Sequence, residues 1–171
     1  MKGYVEVYTG DGKGKTTAAM GLALRAAGAG LKVYFAQFIK GMKYSEHTAL
    51  ERFSDLITVK QYGRNCFIND IPEAEDVRIA REGLIEVREI MLSERYQVIV
   101  LDEANIATHY NLFTAEELLD LIRVKPINVE IVITGRYADQ RIIDAADLVT
   151  EMKEVKHYFK SGISARDGIE K

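Results

Sequence analysis

Three short stretches carry residues whose types and spacing can do chemistry together. The first is Gly10-Asp11-Gly12-Lys13-Gly14-Lys15-Thr16-Thr17. Glycines at this spacing let the backbone approach an anion closely and turn its N–H groups inward, as a nest for phosphate oxygens. Lys15 adds a full positive charge, and a helix starting here adds its partial one. Thr16 places a hydroxyl where a phosphate-bound Mg2+ can take it. With Thr9 just before the first glycine, these residues form a candidate triphosphate site. The competing reading is a glycine-rich turn with a solvated lysine. The pattern speaks for a triphosphate and is silent on which of its bonds breaks.

The second stretch is Asp102-Glu103, at the end of the apolar run Val98-Ile99-Val100-Leu101. Carboxylates are the hard oxygen ligands that Mg2+ or Mn2+ takes. Thr16, Asp102 and Glu103 are therefore the candidate metal residues, against the alternative of an acid pair that merely opens a helix. The third group is two isolated cations beside glycines, Lys40 in Phe38-Ile39-Lys40-Gly41 and Arg136 in Thr134-Gly135-Arg136. Either suits a phosphate or an acidic group of a partner; standing alone, each reads as a solvated loop charge. Arg25 reads equally well as a surface residue. His47, His109 and His157 lack metal-ligand spacing, and Cys66 reads as a small buried residue. No Ser-His-Asp or Cys-His set is visible, so a transfer reaction here would take its nucleophile from the substrate.

The elements that must position these groups follow from hydrophobic pattern. Residues 4–8, 31–39, 57–61, 96–105, 129–136 and 148–152 are short apolar or β-branched runs that predict strands. Residues 15–29 are rich in Ala and Leu and end at glycines, which predicts a helix. Residues 73–93 follow Pro72 with Val77, Ala80, Leu84, Val87 and Met91 at helical spacing. Thr114 and Glu117 make a capping box for another helix, and residues 138–145 a short one. The tail, residues 153–171, looks less regular. Apolar strands alternating with helices predict an α/β fold: a P-loop NTPase-like, three-layer α/β/α arrangement around a mainly parallel central sheet. Ligands of such sheets sit beyond the carboxyl ends of the strands, where residues 10–17, 40–41, 102–103 and 134–136 all fall.

A chain of 171 residues fits one domain, here residues 1–171. The net charge of −3 speaks against a nucleic-acid partner, which needs a basic face. One cysteine, no signal-peptide pattern and no long apolar run lead us to expect a cytoplasmic protein with no membrane partner.

The same clusters resemble the ATP:corrinoid adenosyltransferases of the phosphate-loop type. The matching pieces are "TGDGKGKTTAAMGLALRAAG", "AQFIKG", "VIVLDE", "EIVITGR", "AADLVTEM" and the tail "VKHYFKSGISARDGIE", in the family's order. The tail is the most diagnostic, and its weight comes from the resemblance rather than from spacing. What the resemblance implies is transfer of the 5′-deoxyadenosyl group of ATP to the Co(I) of a reduced corrinoid, with release of triphosphate, in adenosylcobalamin synthesis or salvage. It further implies ATP bound in the reverse sense to ordinary phosphate-loop enzymes, an external electron donor and a homodimer. By position, Lys15 and Glu103 become the catalytic residues, and Gly10 to Thr17 hold the phosphates, with Asp11 able to contact the nucleotide. Lys40, Arg136 and Phe67 face the corrinoid. The chain departs from the family in the corrin-facing loop, where "YGRNCFIND" stands in place of a Gly-Phe-Thr-Trp sequence and the whole chain has no Trp. Phe67, or else Tyr62, would supply the apolar wall. Arg166 stands where Gln is usual. The rival readings are a phosphate-loop ATPase or kinase, with Glu103 positioning water and Arg136 sensing the terminal phosphate, and a nucleotide-dependent regulator without chemistry.

Overall fold

A computed structural model describes residues 2–64 and 71–170. Six strands form one sheet, β1 (Val5–Thr9), β2 (Val33–Phe38), β3 (Ile57–Tyr62), β4 (Val98–Asp102), β5 (Glu130–Thr134) and β6 (Leu148–Glu151). Their order is β3-β2-β4-β5-β1-β6, and every pairing is parallel. The α/β class and the parallel sheet expected from the pattern are what the chain adopts. The helices are α1 (Lys15–Gly28), α2 (Ser45–Leu50), α3 (Ala74–Leu92), α4 (Ala104–His109), α5 (Ala115–Arg123) and α6 (Gln140–Ala145). No helix among the described residues is long and apolar enough to cross a membrane.

The period-2 alternation of side chains divides the core between the two sheet faces. Val5, Val7, Tyr34, Ala36, Phe38, Ile99, Leu101, Ile131 and Ile133 share one face with Leu84, Val87 and Met91 of α3 and Leu118 and Leu121 of α5. Val33, Phe35, Val98, Val100 and Val132 share the other with α1. That helix presents Ala19, Ala23, Ala26 and Ala27, all buried. The short side chains at i, i+4, i+7 and i+8 let its backbone lie close to the sheet, so the loop before it is held on the strand ends.

Two helices were not expected. α2 is six residues long, too short for its pattern to show. α4 begins where the sequence pattern extends a strand to residue 105. β4 instead stops at Asp102, because Glu103 takes a left-handed backbone, φ 59°, which no strand continues. Thr114 caps α5 as expected, accepting from the Glu117 N–H while the Glu117 carboxylate accepts from the Thr114 N–H. In the tail, Tyr158–Ser161 makes one 3-10 turn. Cys66 and Phe67 lie outside the described residues.

Candidate functional site

The phosphate loop leaves β1 at Thr9 and turns at Gly10, whose φ is 92°. A Cβ on Gly10 would stand 2.5 Å from the Met152 carbonyl oxygen, so the turn needs glycine for both its angle and its space. Two hydrogen bonds tie the loop to the segment leaving β6: Met152 N–H to the Thr9 carbonyl at 2.8 Å and Gly12 N–H to the Met152 carbonyl at 2.6 Å. Gly14, φ 121°, delivers the chain into α1. The Lys15 ammonium spans the loop and donates to the carbonyls of Gly10 (2.6 Å) and Gly12 (2.7 Å). Burial, then the charge of Arg136, lower its pKa against the pull of Glu103 and Asp11.

Asp102 is the hub beneath this loop and has no exposed surface. Its Oδ1 accepts from the hydroxyls of Thr16 (2.8 Å) and Thr134 (2.6 Å). Its Oδ2 accepts from Gln37 Nε2 and Lys40 Nζ, both at 3.1 Å. Four donors engage its two oxygens, so its role is to orient its neighbours, Thr16 above all. Glu103, next in the chain, gives its N–H to Thr134 Oγ1 at 3.0 Å. Its strained φ of 59° costs on the order of 1–2 kcal/mol and turns its carboxylate toward the loop, a placement common at functional sites. Burial, then the negative charge of Asp102, raise the Glu103 pKa, with Lys40 and Lys15 opposing. Lys40 Nζ lies 3.6 Å from Glu103 Oε1. Burial works against the Lys40 charge, but Asp102 and Glu103 outweigh it and keep its pKa above the ordinary lysine value.

These groups open into a cavity of about 790 Å3. Gly12 to Thr17, Lys40, Glu103 and Arg136 stand in its wall, which brings together most of the residues singled out in the sequence. Thr9, Gly10 and Asp11 are not in the wall; Thr9 is buried and Asp11 exposed to solvent. Asp102 sits behind it and acts through Thr16 and Lys40. Arg25 is exposed on α1.

Sequence reasoning missed several members. Gln37 Oε1 accepts from His47 Nε2 at 2.6 Å while its Nε2 donates to Asp102, linking α2 to Asp102. The signal was present, since Gln37 is the lone amide in an otherwise apolar strand. His157, Gly168, Ile169 and Glu170 bring the tail into the cavity wall, and Tyr44 and Glu46 bring the segment around α2. No spacing rule could find them, because they meet the loop only through the fold.

The donor chemistry fits a divalent ion that arrives with phosphates. The Glu103 carboxylate and the Thr16 hydroxyl, with Asp102 behind them, make a partial oxygen shell, which Mg2+ habitually completes with substrate phosphates and water. Among the described residues no group of three or more His, Cys, Asp or Glu can hold a metal without such help.

The family model described as "ATP:corrinoid adenosyltransferase BtuR/CobO/CobP" matches residues 1–170. A corrinoid adenosyltransferase of Sinorhizobium sp. is 37% identical over 99% of this chain and 80% of its own. Those of Pseudomonas aeruginosa and Escherichia coli K12 are each 35% identical over 99% of this chain, covering 84% and 86% of theirs. Among solved structures, the flagellar accessory protein FlaH of Methanocaldococcus jannaschii is similar with a TM-score of 0.66 at 12% identity, over 88% of this chain and 71% of that one; that likeness concerns the fold alone. The near-complete family match and the relatives' identity over almost the whole length place this chain in the ATP:corrinoid adenosyltransferase family.

Proposed function

We propose that this protein moves the 5′-deoxyadenosyl group of ATP onto the Co(I) centre of a reduced corrinoid and releases triphosphate. The observation that carries the reading is one cavity in which the phosphate loop, Glu103 and the C-terminal tail meet, in a chain of this family. The Co(I) electron pair forms the Co–C5′ bond, the C5′–O5′ bond breaks, and the triphosphate departs with the pair of that broken bond. No protein base or nucleophile is needed. The protein has to hold three phosphoryl groups as one leaving group and offset the charge that grows on it.

Lys15, the N–H groups of Lys13 to Thr17 and Arg136 are suited to that task. Thr16 and Glu103 would hold Mg2+ or Mn2+, with Asp102 keeping Thr16 in position. Such an ion supplies positive charge to the leaving triphosphate. Thr9, Gly10 and Asp11 support the loop from outside the cavity. Phe67, in the segment after β3, is assigned to the corrin face. The reading also takes residues 1–171 as one catalytic unit, working in the cytoplasm as a homodimer beside a separate electron donor.

Incubation with ATP, Mg2+ and a chemically reduced corrinoid tests this directly. Adenosylated corrinoid and intact triphosphate are expected in equal amounts. ADP and orthophosphate formed without corrinoid would replace the reading with hydrolysis or phosphoryl transfer.

A further inference from the structure

The Lys40 ammonium is the centre of an oxygen cluster. Asp102 Oδ2 lies 3.1 Å away, Thr16 Oγ1 3.4 Å and Glu103 Oε1 3.6 Å. Thr16 and Glu103 are the residues suited to hold a divalent ion, and Asp102 stands behind them. The cation is also built into place. Ile39, a β-branched residue, has φ 68°, a left-handed backbone that such side chains rarely adopt. The Lys40 N–H then closes a tight turn onto the Phe38 carbonyl at 2.7 Å. The Lys40 side chain reaches Asp102 at the end of β4, and 23% of it remains exposed.

We propose that Lys40 is an internal competitor for the divalent ion: its ammonium is held by the oxygens of Thr16, Asp102 and Glu103, and an ion can use those of Thr16 and Glu103 only after Lys40 withdraws. One positive charge is enough to offset part of the two carboxylates, so the cluster has little affinity for a free ion. A nucleotide changes the balance, since its phosphates both add ligands to the ion and attract the displaced ammonium. Lys40 lines the same cavity as Lys15 and Arg136, so the phosphates lie within its reach. The consequence is ordered loading, in which the ion is admitted with the triphosphate and hardly without it. Lys40 is thus a positioning residue for metal and substrate together. This inference rests on the metal reading of Thr16 and Glu103.

The test is Mn2+ binding, read by the loss of free-ion signal in electron paramagnetic resonance, with no nucleotide added. Lys40→Met is expected to bind Mn2+ at least about tenfold more tightly than the wild type, because an opposing unit charge has left the cluster. Lys40→Arg, which keeps the charge, is expected to stay near wild type. Lys13→Met removes an equal charge from the same cavity without touching the three oxygens and is expected to gain little. An unchanged Mn2+ affinity in Lys40→Met, or an equal gain in Lys13→Met, would overturn the proposal. If Lys40→Met does not fold, Lys40→Gln serves in its place, since its amide keeps a donor for Asp102. Glu103→Gln separates the two readings. If it leaves Mn2+·ATP binding intact, the metal site itself is misassigned; if it weakens that binding while Lys40→Met gains nothing, only the competition fails.

Discussion

The ammonium of Lys13, inside the phosphate loop, lies 2.7 Å from the carboxylate of Glu170 at the far end of the chain. The same Nζ donates to the Ile169 carbonyl at 3.0 Å and to the Tyr158 hydroxyl at 3.1 Å. Arg166 pairs with the same carboxylate, and Tyr158 donates to it as well. Lys13 is therefore a latch for the tail. Neighbouring cations hold the Glu170 carboxyl far below the usual range, Arg166 first and Lys13 next. Because the pair is near the surface and screened by solvent, its effect on global stability is small. Its effect on the tail should be larger. Glu170→Gln is expected to speed amide exchange and proteolysis in residues 153–170 while leaving β1 and α1 protected. Unchanged exchange in the tail would show that the latch does not hold it.

Lys15 makes a different kind of contact, with the loop's own carbonyls rather than with a carboxylate. Those two bonds keep the ammonium centred where phosphate oxygens would collect. Lys15→Ala forfeits charge-assisted bonds worth about 1.5–3 kcal/mol each, roughly 10–100-fold in nucleotide affinity. Calorimetry with ATP should show that loss, and transfer to the corrinoid should nearly vanish. Tight ATP binding in this variant would remove Lys15 from the phosphate site.

Gly10 connects the loop to the sheet. Its φ of 92° is closed to an ordinary side chain, and Met152 carbonyl oxygen occupies the space a Cβ would need. Gly10→Ala is expected to destabilise the protein by about 2–4 kcal/mol, through backbone strain and the displacement of the β6 exit. The midpoint of urea unfolding measures it. A midpoint within error of the wild type would mean that the loop rearranges at little cost.

How much of this was legible in the sequence depends on how local the cause is. The strands could be read because buried parallel strands are apolar throughout, and α3 because Val77, Ala80, Leu84, Val87 and Met91 repeat at helical spacing. The phosphate loop could be read because its glycines and Lys15 act within eight residues. Asp102 was legible as a carboxylate at a strand end, but not as a hub. Its donors come from positions 16, 37, 40 and 134, and only the order β2-β4-β5, with α1 laid across it, brings them together. The left-handed Glu103, which ends β4 early, has no local sequence mark, since the residue type disfavours that backbone. The Lys13–Glu170 latch spans almost the full chain, and nothing short of the fold reveals it.

Arg64, just beyond β3, forks onto Asp76 in the first turn of α3, with Nε to Oδ1 at 2.7 Å and Nη2 to Oδ2 at 2.8 Å. Asp76 also accepts from the Glu73 N–H at 2.9 Å, completing the helix cap. Its side chain is only 4% exposed, so the pair is well shielded from solvent on that side. The Arg64 guanidinium holds the Asp76 carboxyl below the usual range, against the opposing effect of burial, and the Glu73 N–H adds to it. A depressed folded-state pKa favours the folded protein wherever the carboxyl is ionised in both states. That contribution is complete above the unfolded value of about 3.9 and fades as pH falls through the lower, folded value. Asp76→Asn keeps the size but loses the charge, and is expected to cost about 2 kcal/mol at pH 7. Urea midpoints for the two proteins should differ by a constant amount from pH 8 down to about pH 5, then converge below about pH 4. A gap that persists undiminished to pH 3 would show that the asparagine costs stability by its shape, and that the charge of Asp76 does not hold Arg64 against α3.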